Sequence, residues 1–354
     1  MGRAAPLWIL VLGGLCLGCP RPQPEILIEV EPIYITYLKT GEGLRVADLN
    51  ADEAFARAEE RFLRRDFSDA RKLYRMVGEN AESPETRRNA WHNAGLCSMS
   101  LEDYPSAAEL FERALAEAAT DEEHAMTRAL MGQCMGKLGR WEDASAAFRL
   151  ALSTEVLPPR ARAEALVWDA RAAMVREDLK RAELRLTEAQ GVLLDTVRIR
   201  EQQGHELLAQ SYFFRAEIFR SLALRLKMRL PQERMERDLA ARRELFRQAE
   251  DLYSTAIRIR HGLWSVRAGH GLGMMAEEFA RDLQAAEVPE DLDAASRELY
   301  FQELEPFVRG ILIEARDYYD RTIQLAARMK FENEWVLKCV NRRDALLARL
   351  KAER

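Results

Sequence analysis

The side chains of this chain that could do chemistry are few and scattered. Five histidines, His92, His124, His205, His261 and His270, have no i,i+4 partner, no H-E-x-x-H pattern and no cysteine set beside them, so no zinc or other metal site is expected. The run Gly269-His270-Gly271-Leu272-Gly273 has the glycines of a phosphate loop but lacks the following Lys-Ser/Thr and a preceding strand. Small residues at a tight helix crossing explain it equally well. No G-x-S-x-G, no Walker sequence and no cysteine with a matched base occurs, and the acid pairs Glu59-Glu60 and Glu277-Glu278 read as solvated helix faces. The expectation is a protein with no catalytic residues, no cofactor and no small-molecule substrate. Three cysteines of the body, Cys97, Cys134 and Cys339, are too few and too widely spaced for a disulfide framework or a metal site, and read as small buried residues.

The two remaining cysteines sit elsewhere. The start, MGRAAPLWILVLGGLCLGCP, has one arginine and then an uncharged stretch from Ala4 to Pro20. That stretch barely reaches the length of a bilayer-spanning helix and reads as an export signal. Its end, Leu15-Cys16-Leu17-Gly18-Cys19, resembles the lipobox of bacterial lipoproteins, in which a small residue precedes the cysteine that is lipidated and becomes the mature N-terminus. The resemblance makes residues 1–18 a signal peptide and Cys19 the lipidated residue, although Cys16 stands where the motif usually has leucine. An ordinary cleaved signal or a signal anchor is the alternative. Residues 19–50 begin Pro-rich, hence extended and stiff, then alternate Ile26, Ile28 and Val30 with polar neighbours, a β-like pattern. Such a tether and arm would pack on the protein's own first helices or be offered to a partner's sheet edge.

What positions the rest is a repeat. The 354 residues carry 53 Lys+Arg against 58 Asp+Glu, with 48% hydrophobic residues, 18 Gly and 12 Pro. This balance excludes a polytopic membrane protein and a disordered chain, and the absence of a basic block argues against nucleic acid as a partner. Three segments align without gaps at a spacing of 37 residues: Ala58, Phe67, Ala70, Tyr74, Val77; Gly95, Tyr104, Ala107, Phe111, Ala114; and Gly132, Trp141, Ala144, Phe148, Ala151. A fourth copy, Ala170, Leu179, Ala182, Leu186, Ala189, follows after 38. Small residues let two antiparallel helices approach while the aromatic rings fill the space beside the crossing.

These segments resemble the tetratricopeptide repeat, whose signature runs W-x2-L-G-x2-Y, then A-x3-F. The second copy keeps Trp91, Gly95, Tyr104, Ala107, Phe111 and Ala114 but has Ala94 and Ser98 at two signature positions. The fold implied is an all-α, right-handed helical solenoid, with four repeats over residues 51–200. Elongated, degenerate hairpins follow over 201–330, with breaks at Gly204 and Pro231, and a capping helix over 331–354. Ala216 and Ala268 are the expected small crossing residues of the long hairpins, Pro289 ends a helix, and Pro306 is expected in a first helical turn. A repeat half joined to a separate bundle half is the alternative.

The resemblance implies a concave groove lined by the first helix of each repeat. Its lining would be Phe55, Glu59, Phe62 and Leu63, then His92, Leu96 and Met99, then Met126, Gln133 and Lys137, then Val167, Arg171 and Met174. This apolar, Met-rich lining suits a hydrophobic or adaptable segment of a partner protein, unless the N-terminal arm or the long C-terminal helices fill it. Phe55, Glu59 and Leu96 stand where carboxylate-clamping members carry Lys and Asn. A lipobox followed by such repeats resembles Gram-negative envelope lipoproteins, and the long C-terminal helices resemble most the gliding-motility type of myxobacteria. The resemblance implies a scaffold for other envelope proteins, facing the periplasm from the outer membrane, with the inner membrane open as a second location. A pilotin or assembly chaperone for an outer-membrane secretin or β-barrel protein is the alternative.

Overall fold

The computed structural model describes residues 49–198, 201–288 and 293–352. The signal peptide, Cys19, the tether and the arm lie outside these residues. Thirteen α-helices and no β-strand occur among the described residues. They run α1 Leu49–Leu63, α2 Phe67–Asn80, α3 Pro84–Ser100, α4 Tyr104–Ala116, α5 Asp121–Lys137, α6 Trp141–Ala151, α7 Pro159–Val175, α8 Leu179–Thr196, α9 Glu206–Arg225, α10 Gln232–Arg258, α11 Gly262–Gln284, α12 Ala294–Arg328 and α13 Glu334–Ala352.

Consecutive helices pair into antiparallel hairpins, and each hairpin's first helix also packs on the second helix of the hairpin before it. From α5 onward the first helices touch one another in series, through α7, α9 and α11 to α13, whereas second helices of neighbouring hairpins make no contact of comparable extent. The first helices therefore form the tighter, concave layer of an all-α solenoid of the tetratricopeptide type, in which each unit buries its face only on its neighbours.

The turn inside each regular hairpin has one chemical solution. The chain leaves the first helix through a residue in the left-handed region: Arg65 at φ 61°, Glu102 at 58°, Gly139 at 76° and Glu177 at 60°. The next residue sends its backbone N–H back five residues, Asp103 to Ser98 and Asp178 to Ala173, which closes the helix end. That same residue is the N-cap of the second helix: the carboxylates of Asp66, Asp103 and Asp178 accept from the N–H groups of Asp69, Ser106 and Arg181 at 3.4, 3.3 and 3.1 Å. In the third hairpin Arg140 takes this place without a side-chain cap.

The crossings are set by missing side chains. A Cβ on Gly95 would lie 2.6 Å from Cε1 of Phe111, and one on Gly132 would lie 2.7 Å from Cε1 of Phe148; both rings are fully buried. In the last hairpin Gly273 meets Tyr319 in the same way, so the crossing residue of α11 is Gly273 and not Ala268, which is buried elsewhere in the core. The glycines of the Gly269–Gly273 run face Thr322, Tyr253 and Tyr319, since α11 is wedged between α10 and α12. One further expectation is overturned. Pro306 lies deep inside the 35-residue helix α12, not in a first turn. The carbonyl its missing N–H would have engaged lies in a segment where Gln302, Glu303, Glu305 and Phe307 are all exposed, so that carbonyl is open to solvent, and the helix continues through the proline.

Buried charge ties hairpins together. The Asp169 carboxylate of α7 has no exposed surface and is held by Arg181 at 2.8 and 2.9 Å, Arg185 at 3.1 Å and the Ser145 hydroxyl at 3.3 Å. One acid thus links α6, α7 and α8. At the C-terminal end α13 places Cys339, Leu346 and Leu350 against Val308, Ile311 and Leu312 of α12, covering the apolar face that the last hairpin would otherwise leave to solvent.

Candidate interaction face

From α3 to α11 each first helix is covered on most of its circumference, and the stripe left partly open faces the concave side. On α5 this stripe carries Met126, Leu130 and Lys137; on α7 it carries Glu164, Arg171 and Met174; on α11 it carries Arg267, His270, Met274 and Glu277. The spacing of three, four and seven residues puts each set on one helical face.

The expected groove residues divide on this structure. Glu59, Phe62, Met99, Met126, Arg171 and Met174 are half-buried, and Leu63 and Lys137 are exposed. Phe55, His92, Leu96, Gln133 and Val167 are buried, which corrects their expected place as open lining. The physical reason is stacking: Phe55 packs edge-on to Tyr74 with ring centroids 5.3 Å apart, His92 to Phe111 at 5.7 Å, and Val167 is part of the cluster shared with Leu166, Leu193 and Phe213. The side chains that touch the neighbouring helix are used for the array itself.

The open face is richest in chemistry over α7 to α13, where Arg171 and Arg267 sit among aromatic rings. The Arg171 guanidinium carbon lies 4.2 Å from the Trp168 ring centroid and 5.5 Å from that of Phe214. That of Arg267 lies 4.6 Å from both Phe213 and Trp264 and 4.8 Å from Trp335. The rings are in turn packed together, Phe214 on Trp264 at 5.5 Å and Phe213 on Trp264 at 5.4 Å. Neither guanidinium makes a hydrogen bond or ion pair among the described residues, and Nε of Arg267 is buried without a partner. Burial holds both below the ordinary arginine range, and the charge of Arg267 adds to this at Arg171.

Acids on the same face are already engaged. Glu217 of α9 binds Arg220 and the Tyr253 hydroxyl, and Glu278 takes both oxygens to Arg220 at 2.6 and 2.7 Å. Glu277 accepts from the Tyr319 hydroxyl at 2.7 Å and pairs with Arg342 of α13. The Glu277-Glu278 pair is therefore a set of ties between helices and not a solvated face. The ring of His270 packs on Trp335 and Tyr319; burial, with Lys338 adding to it, brings its pKa down to about 4 and keeps it neutral at pH 7.

Reactive groups are muted. Cys97, Cys134 and Cys339 are free, buried thiols, each pushed up to about 12 by burial, and a thiol held protonated is a poor nucleophile. Among the described residues no group of three or more His, Cys, Asp or Glu is placed to hold a metal ion, and no helix is long and apolar enough to cross a membrane. What the arrangement offers chemically is a partly desolvated, cationic surface backed by buried aromatic rings. The expected lining ended at Met174 and so left out Phe213, Arg267, His270 and Trp335, which lie on α9, α11 and α13. The small residue paired with Tyr319 is Gly273, and counting back from it reaches His270 and Arg267.

No family model matches this chain, and no curated protein matches it. Solved structures do resemble it at low identity. The apo form of RapI has a TM-score of 0.48 at 12% identity, covering 85% of this chain and 99% of that one. The C-terminal part of a TPR repeat-containing protein from Cytophaga hutchinsonii has a TM-score of 0.45 at 11% identity, covering 82% and 95%. A Rap protein in complex with Competence and Sporulation Factor has 0.45 at 15%, covering 88% and 90%. The fold given above rests on this chain's own helix pairing.

Proposed function

We propose that this chain is a non-catalytic scaffold that holds partner proteins on the concave face of its first-helix layer. The observation that carries the reading is the face itself: a strip running from α5 to α13 of half-covered Met and Arg side chains backed by buried aromatic rings, beside thiols and histidines that burial has silenced. Such a surface suits an extended or helical protein segment. The same reading places the protein in a Gram-negative envelope, attached by a lipid on Cys19 at the periplasmic side of the outer membrane, where it would organise a motility complex that spans the envelope. Support for this part comes from the sequence alone: the lipobox-like end of the leader, and Pro20 in place of the Asp that retains many lipoproteins in the inner membrane.

Site-specific photo-crosslinking in cells tests the scaffold reading. A benzoylphenylalanine at Met274 on the concave face should capture a discrete set of envelope proteins, and one at Arg247 on the outer side of α10 should not. Equal capture from both positions, or capture from neither, would refute it. Membrane anchoring is tested apart from this: Cys19→Ala should abolish labelling by a radioactive fatty acid.

A further inference from the structure

Two guanidiniums on one desolvated face, neither with an acid bound to it, are an unsatisfied arrangement. Arginine presents five donors in a rigid fork, and burying like charges near one another is unfavourable unless a counter-charge arrives. A continuous ring stack joins the two: Arg171 lies over Phe214, Phe214 packs on Trp264, and Trp264 lies under Arg267. The acids that act on Arg267 from a distance, Glu217 and Glu334, have other partners, Arg220 and Tyr253 for the first and Lys338 for the second. The protein thus supplies the cations, the aromatic backing and the apolar rim, and leaves the counter-charge to be supplied from outside.

We propose that the partner is an acidic segment of a protein chain, with an Asp or Glu carboxylate seated between Arg171 and Arg267 and its apolar neighbours laid on Met174 and Met274. This deepens the scaffold reading above and rests on it. A carboxylate matches the fork of a guanidinium with two parallel hydrogen bonds. A peptide fits better than a small free anion, because the half-covered thioethers of Met174 and Met274 beside the two cations would stay wet around an isolated ion.

The test is selection of a random dodecapeptide library, displayed on phage, on the purified full chain and on its R171Q/R267Q variant, with folding of each checked by circular dichroism. The expected result on the native chain is enrichment of Asp or Glu at one fixed position beside Leu, Ile or Phe, and loss of that enrichment on the variant. One enriched peptide, fluorescein-labelled, is then titrated by anisotropy. Replacing its acid by the amide should weaken binding on the order of tenfold or more, and on R171Q/R267Q the same replacement should make no difference. R171K and R267K should recover part of the affinity, since lysine keeps the charge and loses the fork. Enriched peptides that lack an acid, or whose acid is indifferent to Arg171 and Arg267, overturn the inference and leave the scaffold reading standing. Free inorganic phosphate that quenches the flanking tryptophans at concentrations below those needed for the peptide assigns the cations to a small anion and also overturns it. Selection that yields no peptide sensitive to M274E overturns the scaffold reading as well.

Discussion

Replacing Gly95 by alanine tests the packing rule on which the repeat rests. The new Cβ would sit 2.6 Å from Cε1 of Phe111 and 2.8 Å from its Cδ1 and Cζ, whereas carbon atoms pack at about 3.5–4.0 Å. Ring or helix must give way by about 1 Å. Phe111 is fully buried and cannot swing out, so the cost is that of overpacking, about 1–3 kcal/mol. Alanine's better helix propensity returns about 1 kcal/mol. Gly191, in α8, isolates that second effect, because a Cβ there meets nothing within 4 Å. Gly191→Ala is thus expected to stabilise by about 0.5–1 kcal/mol and Gly95→Ala to destabilise by up to about 2, a separation of about 1–3 in which propensity cancels. Urea unfolding followed by far-ultraviolet circular dichroism gives both values by linear extrapolation. Phe111→Leu combined with Gly95→Ala should couple favourably, because the smaller side chain leaves room for the added methyl. If the two alanine variants prove equally stable, the idea that a missing side chain sets the helix approach is wrong.

Two further predictions concern buried polar groups. His92 is almost wholly buried and its pKa is brought down to about 4 by burial, with Arg88 adding to it. The unfolded chain therefore binds the extra proton between about pH 6.5 and 4, so stability is full above that window and falls as pH drops through it, by about 3 kcal/mol in all; urea midpoints at several pH values should fall less steeply for His92→Gln, and an unchanged slope would sink the assignment. Asp169→Ala leaves Arg181 and Arg185 without their shared acid, and because those arginine side chains are 29% and 26% exposed the loss should be about 2–3 kcal/mol, below that of a fully buried pair. Asp169→Asn should lose less, and an alanine variant within about 0.5 kcal/mol of the native chain would show that the network is not structural.

The fold was legible because its rule is local and repeated. A small residue and an aromatic recur together, Gly95 with Phe111 and Gly132 with Phe148, and a helix pair can bury its face in only a few ways. The turn chemistry was legible too but went unread: Asp66, Asp103 and Asp178 recur in register, and each is both the end of one helix and the cap of the next. Ala268 misled because α11 carries several small residues and only the helix packed on it shows that Gly273 is the one that meets Tyr319. Pro306 misled because local propensity does not say how far a helix extends, and α12 runs through its proline where the stretch is exposed. The face was only half legible. Arg171 and Met174 were placed by register alone, but Val167 and His92 share that register and are consumed by packing. Which residue of a stripe remains open depends on the helix laid beside it, and no single segment encodes that.

The arginines of the open face raise a last question, whether they are there for the fold or for a partner. Arg267 shields three rings, Phe213, Trp264 and Trp335, which would otherwise be more open to water on the concave side. Its stem could do this work without a charge, whereas recognition of an acid needs the guanidinium. Arg267→Met separates the two roles, since the thioether covers similar apolar surface and brings no donors. The cation–ring attraction lost is about 0.5–2 kcal/mol, and it is opposed by relief of the burial that already disfavours the charged form. Stability should therefore change by less than about 1 kcal/mol, while binding of an acidic peptide should fall on the order of tenfold. A variant destabilised by more than about 2 kcal/mol would mark Arg267 as a clamp of the fold, and its freedom from ion pairs would then say nothing about a partner.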